Sequence, residues 1–299
     1  MKLPLKGIIP PMITPMTSYK KLDDQGISNL IEHLISGGVH GLFILGTNGE
    51  APSLSYDMRK ELIRKTCTQV NGRIPVLVGI TDTSIAGSIE LSEYSANVGA
   101  DAVVVAPPYY FPVSQAEMAD YFEALVPKLA LPFVVYNMPS HTKIHLSLET
   151  VNLAMEMGSL GIKDSSGDIF YLYTLLDKFK NIPDFSIITG TELFIPETIM
   201  NGGHGAVAGG ANIFPKLFVQ LYEASLIKDH EAIAGLRSKV MELYNSIYNV
   251  GKYTSRITKG TKCALSVMGI CNDYMAPPLH RFNPAERKQI EHILNEFNF

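Results

Sequence analysis

Short apolar segments rich in β-branched residues recur along the chain and alternate with segments of helical periodicity. Eight such segments are candidate strands, at residues 7–13, 41–45, 75–79, 102–106, 132–136, 160–163, 185–188 and 205–208. Short runs this dense in Val and Ile are typical of strands buried on both faces of a parallel sheet. Their starts lie about 20 to 35 residues apart, which is the length of a strand plus a crossover helix.

The intervening segments have the periodicity of amphipathic helices. In residues 24–37 the apolar positions recur on one buried face, namely Ile27, Leu30, Ile31, Leu34 and Ile35. Residues 115–130 and 168–179 follow the same pattern. Eight strands that alternate with helices can close into a barrel or stay open as a doubly wound sheet, and the number eight favours the barrel.

The strand pattern stops after Pro215, and residues 216–249, 255–269 and 284–297 are predicted to be helical. A barrel of this kind commonly uses about 250 residues as one unit. We therefore predict an α/β protein with a (β/α)8 TIM barrel over residues 1–225 and a small C-terminal helical extension over residues 226–299.

Composition narrows the class of protein. With 46% hydrophobic and 18% charged residues and a net charge of −4, the chain is expected to be globular and to bind neither nucleic acid nor anionic membranes. No apolar run reaches the ~18 residues of a membrane span without Gly or Pro. Three scattered cysteines argue against a disulfide framework, and the N-terminus lacks a signal-peptide pattern, so a cytoplasmic location is expected.

Polar residues and glycines follow several predicted strands, at residues 46–50, 107–110, 136–141, 163–168 and 189–192. The reaction site of a β/α barrel is built at the C-terminal ends of its strands. Lys163 ends a strand and is expected to be enclosed by apolar residues. Burial disfavours the charged form of a lysine, so the neutral amine becomes available to form a Schiff base. The alternative for Lys163 is an ion pair with Asp164 or Asp168.

Tyr136 ends the preceding strand, so its phenol is expected close to Lys163, where it could transfer the protons that imine formation requires. The small-residue turn at 46–49 can offer backbone N–H groups to a carboxylate or phosphate, although an ordinary turn has the same composition. His141 and His145 have the spacing of two metal ligands on one helix face, which leaves a metal site as an alternative. Residues 203–208 match a dinucleotide fingerprint but lack the helix that should follow.

Together these motifs resemble the dihydrodipicolinate synthase/N-acetylneuraminate lyase superfamily of class I, pyruvate-handling aldolases. The resemblance spans nearly the whole chain and is carried by Gly-Thr-Asn-Gly-Glu at 46–50, Pro-Tyr-Tyr at 108–110, Tyr-Asn-Met-Pro at 136–139, Gly-Ile-Lys at 161–163 and Gly-Gly-His-Gly at 202–205. It implies a TIM barrel that uses neither a metal nor an organic cofactor.

The resemblance also implies roles for individual residues. Lys163 matches the imine-forming lysine, and Tyr136 matches the tyrosine that transfers protons. Thr47 matches the hydroxyl of the proton relay, and the turn of Gly46, Thr47 and Asn48 matches the site that binds the pyruvate carboxylate. Tyr110 matches a tyrosine that family members donate across a dimer interface, so a homo-oligomer, either a dimer or a tetramer, is expected.

The second substrate is less defined by the sequence. Dihydrodipicolinate synthases carry Arg at the position of His141, and sialic acid lyases carry polar residues at the positions of Leu193 and Gly209. Asn48 resembles the residue of 4-hydroxy-2-oxoglutarate and sugar-acid aldolases. The candidate residues for binding the second half of the substrate are His141, Ser166, Asp168 and Glu192, and Ala206 is a further candidate for substrate binding.

We therefore expect a Schiff-base lyase or aldolase that uses pyruvate and an aldehyde, with a 2-keto-3-deoxy sugar acid or 4-hydroxy-2-oxoglutarate favoured as the cleaved 2-oxo acid. The alternatives within the family are dihydrodipicolinate synthase, which condenses pyruvate with aspartate semialdehyde, and N-acetylneuraminate lyase. The alternatives outside it are a binding protein without chemistry and a dinucleotide oxidoreductase.

Overall fold

A computed structural model describes residues 3–297, in which eight parallel strands form one closed sheet. The strands of the barrel are β1 (Gly7–Ile8), β4 (Leu42–Ile44), β5 (Val76–Gly79), β6 (Ala102–Val105), β7 (Phe133–Asn137), β8 (Gly161–Asp164), β9 (Ser186–Thr189) and β10 (Gly205–Ala206). Two further strands, β2 (Met16–Ser18) and β3 (Lys21–Leu22), form a separate hairpin. The sheet has the order β1-β10-β9-β8-β7-β6-β5-β4. It closes where the N–H of Met12 donates to the Phe43 carbonyl at 2.9 Å and the N–H of Phe43 donates to the Pro10 carbonyl at 3.0 Å. The predicted TIM barrel is confirmed.

Helices follow the strands and surround the barrel. They are α1 (Asp24–Ser36), α2 (Tyr56–Val70), α3 (Ile85–Asn97), α4 (Gln115–Leu125), α5 (Pro139–Thr142), α6 (Leu148–Glu156), α7 (Ile169–Phe179), α8 (Ile195–Met200), α9 (Pro215–Leu226), α10 (His230–Asn245), α11 (Arg256–Val267) and α12 (Pro284–Glu296). Within residues 3–297, none of them is long and apolar enough to cross a membrane.

Three segments differ from the sequence prediction for identifiable reasons. The first strand is shorter than 7–13, because Pro10 and Pro11 have no N–H to donate to a neighbouring strand. The helix predicted over 115–130 ends at Leu125, and a short 3₁₀ turn that contains Pro127 follows it. The antiparallel hairpin of β2 and β3 was not expected at all.

The barrel has two separate apolar clusters. One lies between the sheet and the helices, and it includes Val135 of β7 and Ile162 of β8. The other fills the barrel interior and includes Phe43, Val134 and Tyr136. Since successive side chains of a strand point to opposite faces, Lys163, which follows Ile162, faces the interior with Tyr136.

The C-terminal helices are attached to the barrel through a buried ion pair. Lys262 of α11 contacts the carboxylate of Glu50, and both side chains are almost fully buried. Lys262 also donates to the Tyr274 carbonyl at 2.7 Å, and Glu50 accepts from the N–H of Ala276 at 2.8 Å. The division into residues 1–225 and 226–299 stays a prediction, and residues 1–2 and 298–299 lie outside the part of the chain that is described.

We expect the Lys262→Met variant to be strongly destabilised, because it leaves the Glu50 carboxylate buried without a counter-charge. Loss of one partner of a buried ion pair costs about 3–5 kcal/mol. Lys239→Met is the matched control, because Lys239 pairs with Glu242 at 2.9 Å on the surface and exposed pairs contribute little. Urea unfolding at matched protein concentration measures both free energies, and equal losses would contradict the assigned role of Lys262.

Candidate active site

Lys163 and Tyr136 lie side by side inside the barrel. They are paired in register between β8 and β7, and Lys163 Nζ lies 3.7 Å from the centre of the Tyr136 ring and 5.1 Å from that of Phe43. Both residues are at least nine-tenths buried. No carboxylate among the described residues forms a salt bridge with Lys163, since Asp164 pairs with Asn137 at 2.8 Å on the opposite face of the strand.

The Tyr136 phenol is in a polarised environment. Burial by itself would raise its pKa, but the charge of Lys163 and hydrogen bonds with Thr47, Lys163 and Ser165 outweigh this effect, and the pKa of Tyr136 is lowered. The hydroxyl of Thr47 lies 3.5 Å from the phenol oxygen. A phenol with a lowered pKa and a hydroxyl neighbour can accept and return a proton.

The turn after β4 presents two free backbone donors. No hydrogen bond within residues 3–297 uses the N–H of Thr47 or Asn48. Leu45 and Glu50, on either side of these donors, have positive φ angles of 56° and 55°, a left-handed conformation that costs about 1–2 kcal/mol per non-glycine residue. The strain is maintained by tertiary contacts such as the Glu50–Lys262 pair, and the resulting turn can bind an anion through its N–H groups.

Three adjoining cavities surround this turn. The lysine cavity, of about 190 Å³, is lined by Lys163, Tyr136, Asn48 and Glu192 among others. A second cavity of about 450 Å³ runs past Gly46 and Tyr109. The third, which we call the outer cavity, has about 730 Å³. Thr47 lines all three, so a substrate bound at the turn can extend from the lysine cavity in either direction.

Glu192 is a fully buried carboxyl group in the wall of the lysine cavity. Its Oε1 accepts from the N–H of Gly210 and lies 3.4 Å from the Tyr248 hydroxyl, while its Oε2 has no partner among the described residues. Burial raises the pKa of Glu192 to about 7, although these hydrogen bonds oppose the rise. A Cβ on Gly209 would lie within 3.5 Å of Asn48, Glu192 and Tyr248, so glycine leaves room for these polar groups to converge.

His141 lies at the boundary between the second and outer cavities. Desolvation at the cavity wall, followed by the charges of Lys143 and Lys163, lowers its pKa, so the ring is neutral near pH 7. His145 lies beyond helix α5 and packs edge-on against Tyr171 at 4.3 Å. The two histidines do not share a helix face, and no cluster of three metal-ligating side chains occurs within the described ranges.

The structure does not bring every candidate residue into a cavity. Ser166 donates to Asp164 at 2.8 Å, and Asp168 caps α7 through the N–H groups of its first turn. The Ala206 side chain packs in the apolar cluster between the sheet and the helices, whereas the next residue, Val207, lines the lysine cavity. These three side chains have structural contacts within the chain, and their contacts with substrate stay a prediction.

Tyr110 lies away from Lys163 within the single chain. It is 75% exposed at a loop tip, where it packs edge-on against Phe111, which is 73% exposed. Its neighbour Tyr109 lines the second cavity. Two adjacent exposed aromatic rings are unusual on the surface of an isolated chain, and none of residues 3–297 covers them.

The sequence matches a known protein family over nearly its full length. A sequence model of the dihydrodipicolinate synthetase family matches residues 4–297. The chain belongs to the dihydrodipicolinate synthetase family. Members of this family include lyases and aldolases, and the expected enzyme class is thereby confirmed.

Individual family members are similar over almost their full length. A dihydrodipicolinate synthase from Bacteroides thetaiotaomicron is 48% identical, with a TM-score of 0.96 and coverage of 99% of this chain and 100% of that one. YagE from Escherichia coli K12, solved in complex with pyruvate, is 30% identical, with a TM-score of 0.91 and coverage of 98% and 99%. The probable 2-dehydro-3-deoxy-D-pentonate aldolase YjhH of the same organism is 34% identical over 96% of this chain and 95% of its own.

Some residues around the lysine cavity were not identified from the sequence. Ser165, which hydrogen-bonds Tyr136, lies two residues after Lys163, but the motif gave no reason to prefer it over Ser166. Tyr248 and Lys262 come from the C-terminal helices and reach the site only through the fold. No local pattern in the sequence marks either of them.

We expect the Glu192→Gln variant to differ from the wild type in a pH-dependent way. In the unfolded chain Glu192 releases its proton near pH 4.5, whereas in the folded protein it does so near pH 7. Its contribution to the free energy of unfolding is therefore complete below pH 4.5 and falls by about 3 kcal/mol between pH 4.5 and pH 7. The glutamine lacks this titration.

Urea unfolding of the wild type and of Glu192→Gln between pH 4.5 and 8 tests the raised pKa of Glu192. The wild type should lose stability relative to Glu192→Gln as the pH rises, and a difference that is constant with pH would contradict the raised pKa. Glu223→Gln, which removes an exposed carboxylate, is the matched control.

Proposed function

We propose that this enzyme is an aldolase that holds a 2-oxo acid as an imine of Lys163 and forms or breaks the bond between C3 and C4. The observation that supports the proposal most strongly is the pairing of a buried lysine, which forms no salt bridge within residues 3–297, with a buried tyrosine of lowered pKa. A buried amine beside a proton-transferring phenol is the machinery that imine chemistry requires.

The carboxylate of the 2-oxo acid binds to the free N–H groups of Thr47 and Asn48, which places C2 near Lys163. The amine of Lys163 gives one proton to the neighbouring hydroxyl groups and attacks C2. The ketone oxygen takes up that proton and a second one from the amine and leaves as water. The resulting protonated imine withdraws electrons from the C3–C4 bond. As that bond breaks, the C4 hydroxyl gives its proton to the same hydroxyl groups, an aldehyde departs and the enamine of pyruvate remains. The enamine regains a proton at C3, and the imine is hydrolysed.

Tyr136 and Thr47 carry the protons of these steps. The phenol lies next to the amine, and the Thr47 hydroxyl is the next group along. We propose that Tyr110 of the partner subunit completes the relay in a homo-oligomer, a dimer or a tetramer, since the same tyrosine is exposed in the single chain.

The cytoplasmic location stays a prediction from the sequence.

The favoured substrate is a 2-keto-3-deoxy sugar acid or 4-hydroxy-2-oxoglutarate. Asn48, Glu192 and Tyr248 converge around Gly209 and offer donors and acceptors to hydroxyl groups on the aldehyde half. Protonated near neutral pH, Glu192 can donate as well as accept. The pyruvate complex of YagE and the name of YjhH agree with a substrate of this class.

A second candidate is the dihydrodipicolinate synthase reaction, in which pyruvate condenses with aspartate semialdehyde. It is supported by the 48% identity with the Bacteroides thetaiotaomicron protein of that name. His141 argues against it, because a neutral imidazole replaces the arginine that the synthases carry. Comparing pyruvate release from 2-keto-3-deoxy acids with turnover of aspartate semialdehyde separates the two.

We expect borohydride to attach pyruvate irreversibly to Lys163. Reduction of the imine adds the mass of one pyruvic acid less one oxygen atom, and peptide mass spectrometry locates the addition. Lys163→Met should remain unlabelled, whereas Lys143→Met, which removes a nearby lysine of the second cavity, should be labelled normally. Labelling at any other lysine would exclude the mechanism.

We expect Tyr136→Phe to lower kcat by about 10²- to 10⁴-fold, the usual contribution of a positioned acid–base group. KM for the 2-oxo acid should change little, because the backbone donors of Thr47 and Asn48 remain. Coupled assay of pyruvate release from 2-keto-3-deoxygluconate measures both constants. A variant with kcat within a factor of two of the wild type would show that the phenol transfers no proton in the rate-limiting steps.

A further inference from the structure

The outer cavity is the largest of the three and continues the lysine cavity towards solvent. The two share four lining residues, namely Thr47, Asn48, Met138 and Ile257. The remainder of its wall comes from His141, the start of α11, the segment before that helix, and residues 278–280. An extended substrate held at the Thr47–Asn48 turn can therefore reach into it.

The outer cavity is basic, although the chain as a whole has a net charge of −4. Lys252, Lys259, His141 and His280 line it, and no aspartate or glutamate belongs to the described lining. Desolvation lowers the pKa of His141, and Lys252 and Lys259 supply positive charge to the lining. A cavity with charge of one sign concentrates ligands of the opposite sign.

Lys259 is a buried cation without an anionic partner. It is only 2% exposed, its Nζ lies 3.3 Å from the centre of the Tyr253 ring and 3.2 Å from His280 Nδ1, and no described carboxylate lies within salt-bridge distance. Burial lowers the pKa of Lys259, and the attraction of Glu286, whose carboxylate caps α12 from farther away, does not outweigh this effect.

Lys262, three residues farther along α11, provides the contrast. It is as deeply buried as Lys259, but its charge is neutralised by Glu50. A buried charge is costly unless it is paired. Of these two lysines on one helix, Lys259 alone lacks its counter-ion among the described residues, and an anionic ligand would supply one.

The N-terminus of α11 adds to the positive electrostatic potential of the outer cavity. The Ser255 side chain does not cap the helix, and no described hydrogen bond uses the N–H of Ile257 or Thr258. These residues line the outer cavity. Free N–H groups and the partial positive charge at the start of a helix favour an anion there.

We propose that the outer cavity binds a terminal anionic group, a phosphate ester or a carboxylate, on the aldehyde half of the substrate. Thr47 and Asn48 would hold one end of the 2-oxo acid, while Lys259 and Lys252 would hold the other. This inference rests on the proposed aldolase function and defines its substrate class as 2-oxo acids that are anionic at both ends.

Condensation of pyruvate with matched pairs of aldehydes tests the proposal. Glyceraldehyde 3-phosphate is compared with glyceraldehyde for the phosphate, and succinic semialdehyde with butanal for the carboxylate. We expect kcat/KM of the wild type to be at least about 10-fold higher for the anionic member of one pair, because charge-assisted hydrogen bonds have this strength. Which pair shows the preference identifies the anionic group.

Lys259→Met should abolish most of this preference, whereas Lys288→Met, which removes an exposed lysine of α12, should leave it unchanged. Borohydride labelling of Lys163 by pyruvate should persist in both variants, so loss of the labelling would indicate failure of the aldolase mechanism itself. Equal rates within both pairs for the wild type, or an equal loss for both members in Lys259→Met, would overturn the proposal.

A second variant covers the case in which Lys259→Met does not fold. Lys252 is exposed, so Lys252→Met carries little risk to folding. It should lower the preference for the anionic aldehyde by several-fold. Inorganic phosphate should inhibit the wild type competitively and inhibit this variant less, and the absence of both effects would also contradict the proposal.

Discussion

The register between β7 and β8 is the constraint on which the site depends. It pairs Tyr136 with Lys163 and turns both into the barrel, where apolar residues remove them from water. A shift of one residue would turn Lys163 towards the helices and bring Asp164 into the cavity. The parallel ladder is therefore more than a scaffold, since it determines which side chain becomes the nucleophile and which phenol lies beside it.

The second requirement is a turn that keeps two N–H groups free of internal partners. The polypeptide meets it with two residues in left-handed conformations, Leu45 and Glu50, and the strain is balanced by contacts remote in sequence. Glu50 reaches Lys262 in α11, so the C-terminal helices help to shape the site. The same helices contribute Tyr248 to the lysine cavity and Lys259 to the outer cavity. The C-terminal helices therefore form part of the site together with the barrel.

Local patterns were enough to predict the barrel, because each strand carries its own apolar run. Polar clusters at several strand ends also predicted that Lys163 and Tyr136 lie side by side. The roles of these two residues and of the Thr47 turn came from the resemblance to a family and stay a prediction. They did not distinguish Ser165 from Ser166 or Val207 from Ala206, because the choice depends on which way a side chain turns after the last paired residue. Lys262 and Tyr248 could not be identified, since their partners are distant in sequence and only tertiary packing brings them together.

The proposed mechanism requires that Lys163 and the turn of Thr47 and Asn48 hold one 2-oxo acid at the same time. A crystal structure of the protein soaked with pyruvate tests this requirement. We expect continuous electron density from Lys163 Nζ to C2 of pyruvate, with the carboxylate within hydrogen-bond distance of both backbone N–H groups. Pyruvate bound without a covalent bond to Lys163, or with its carboxylate directed away from the turn, would contradict it.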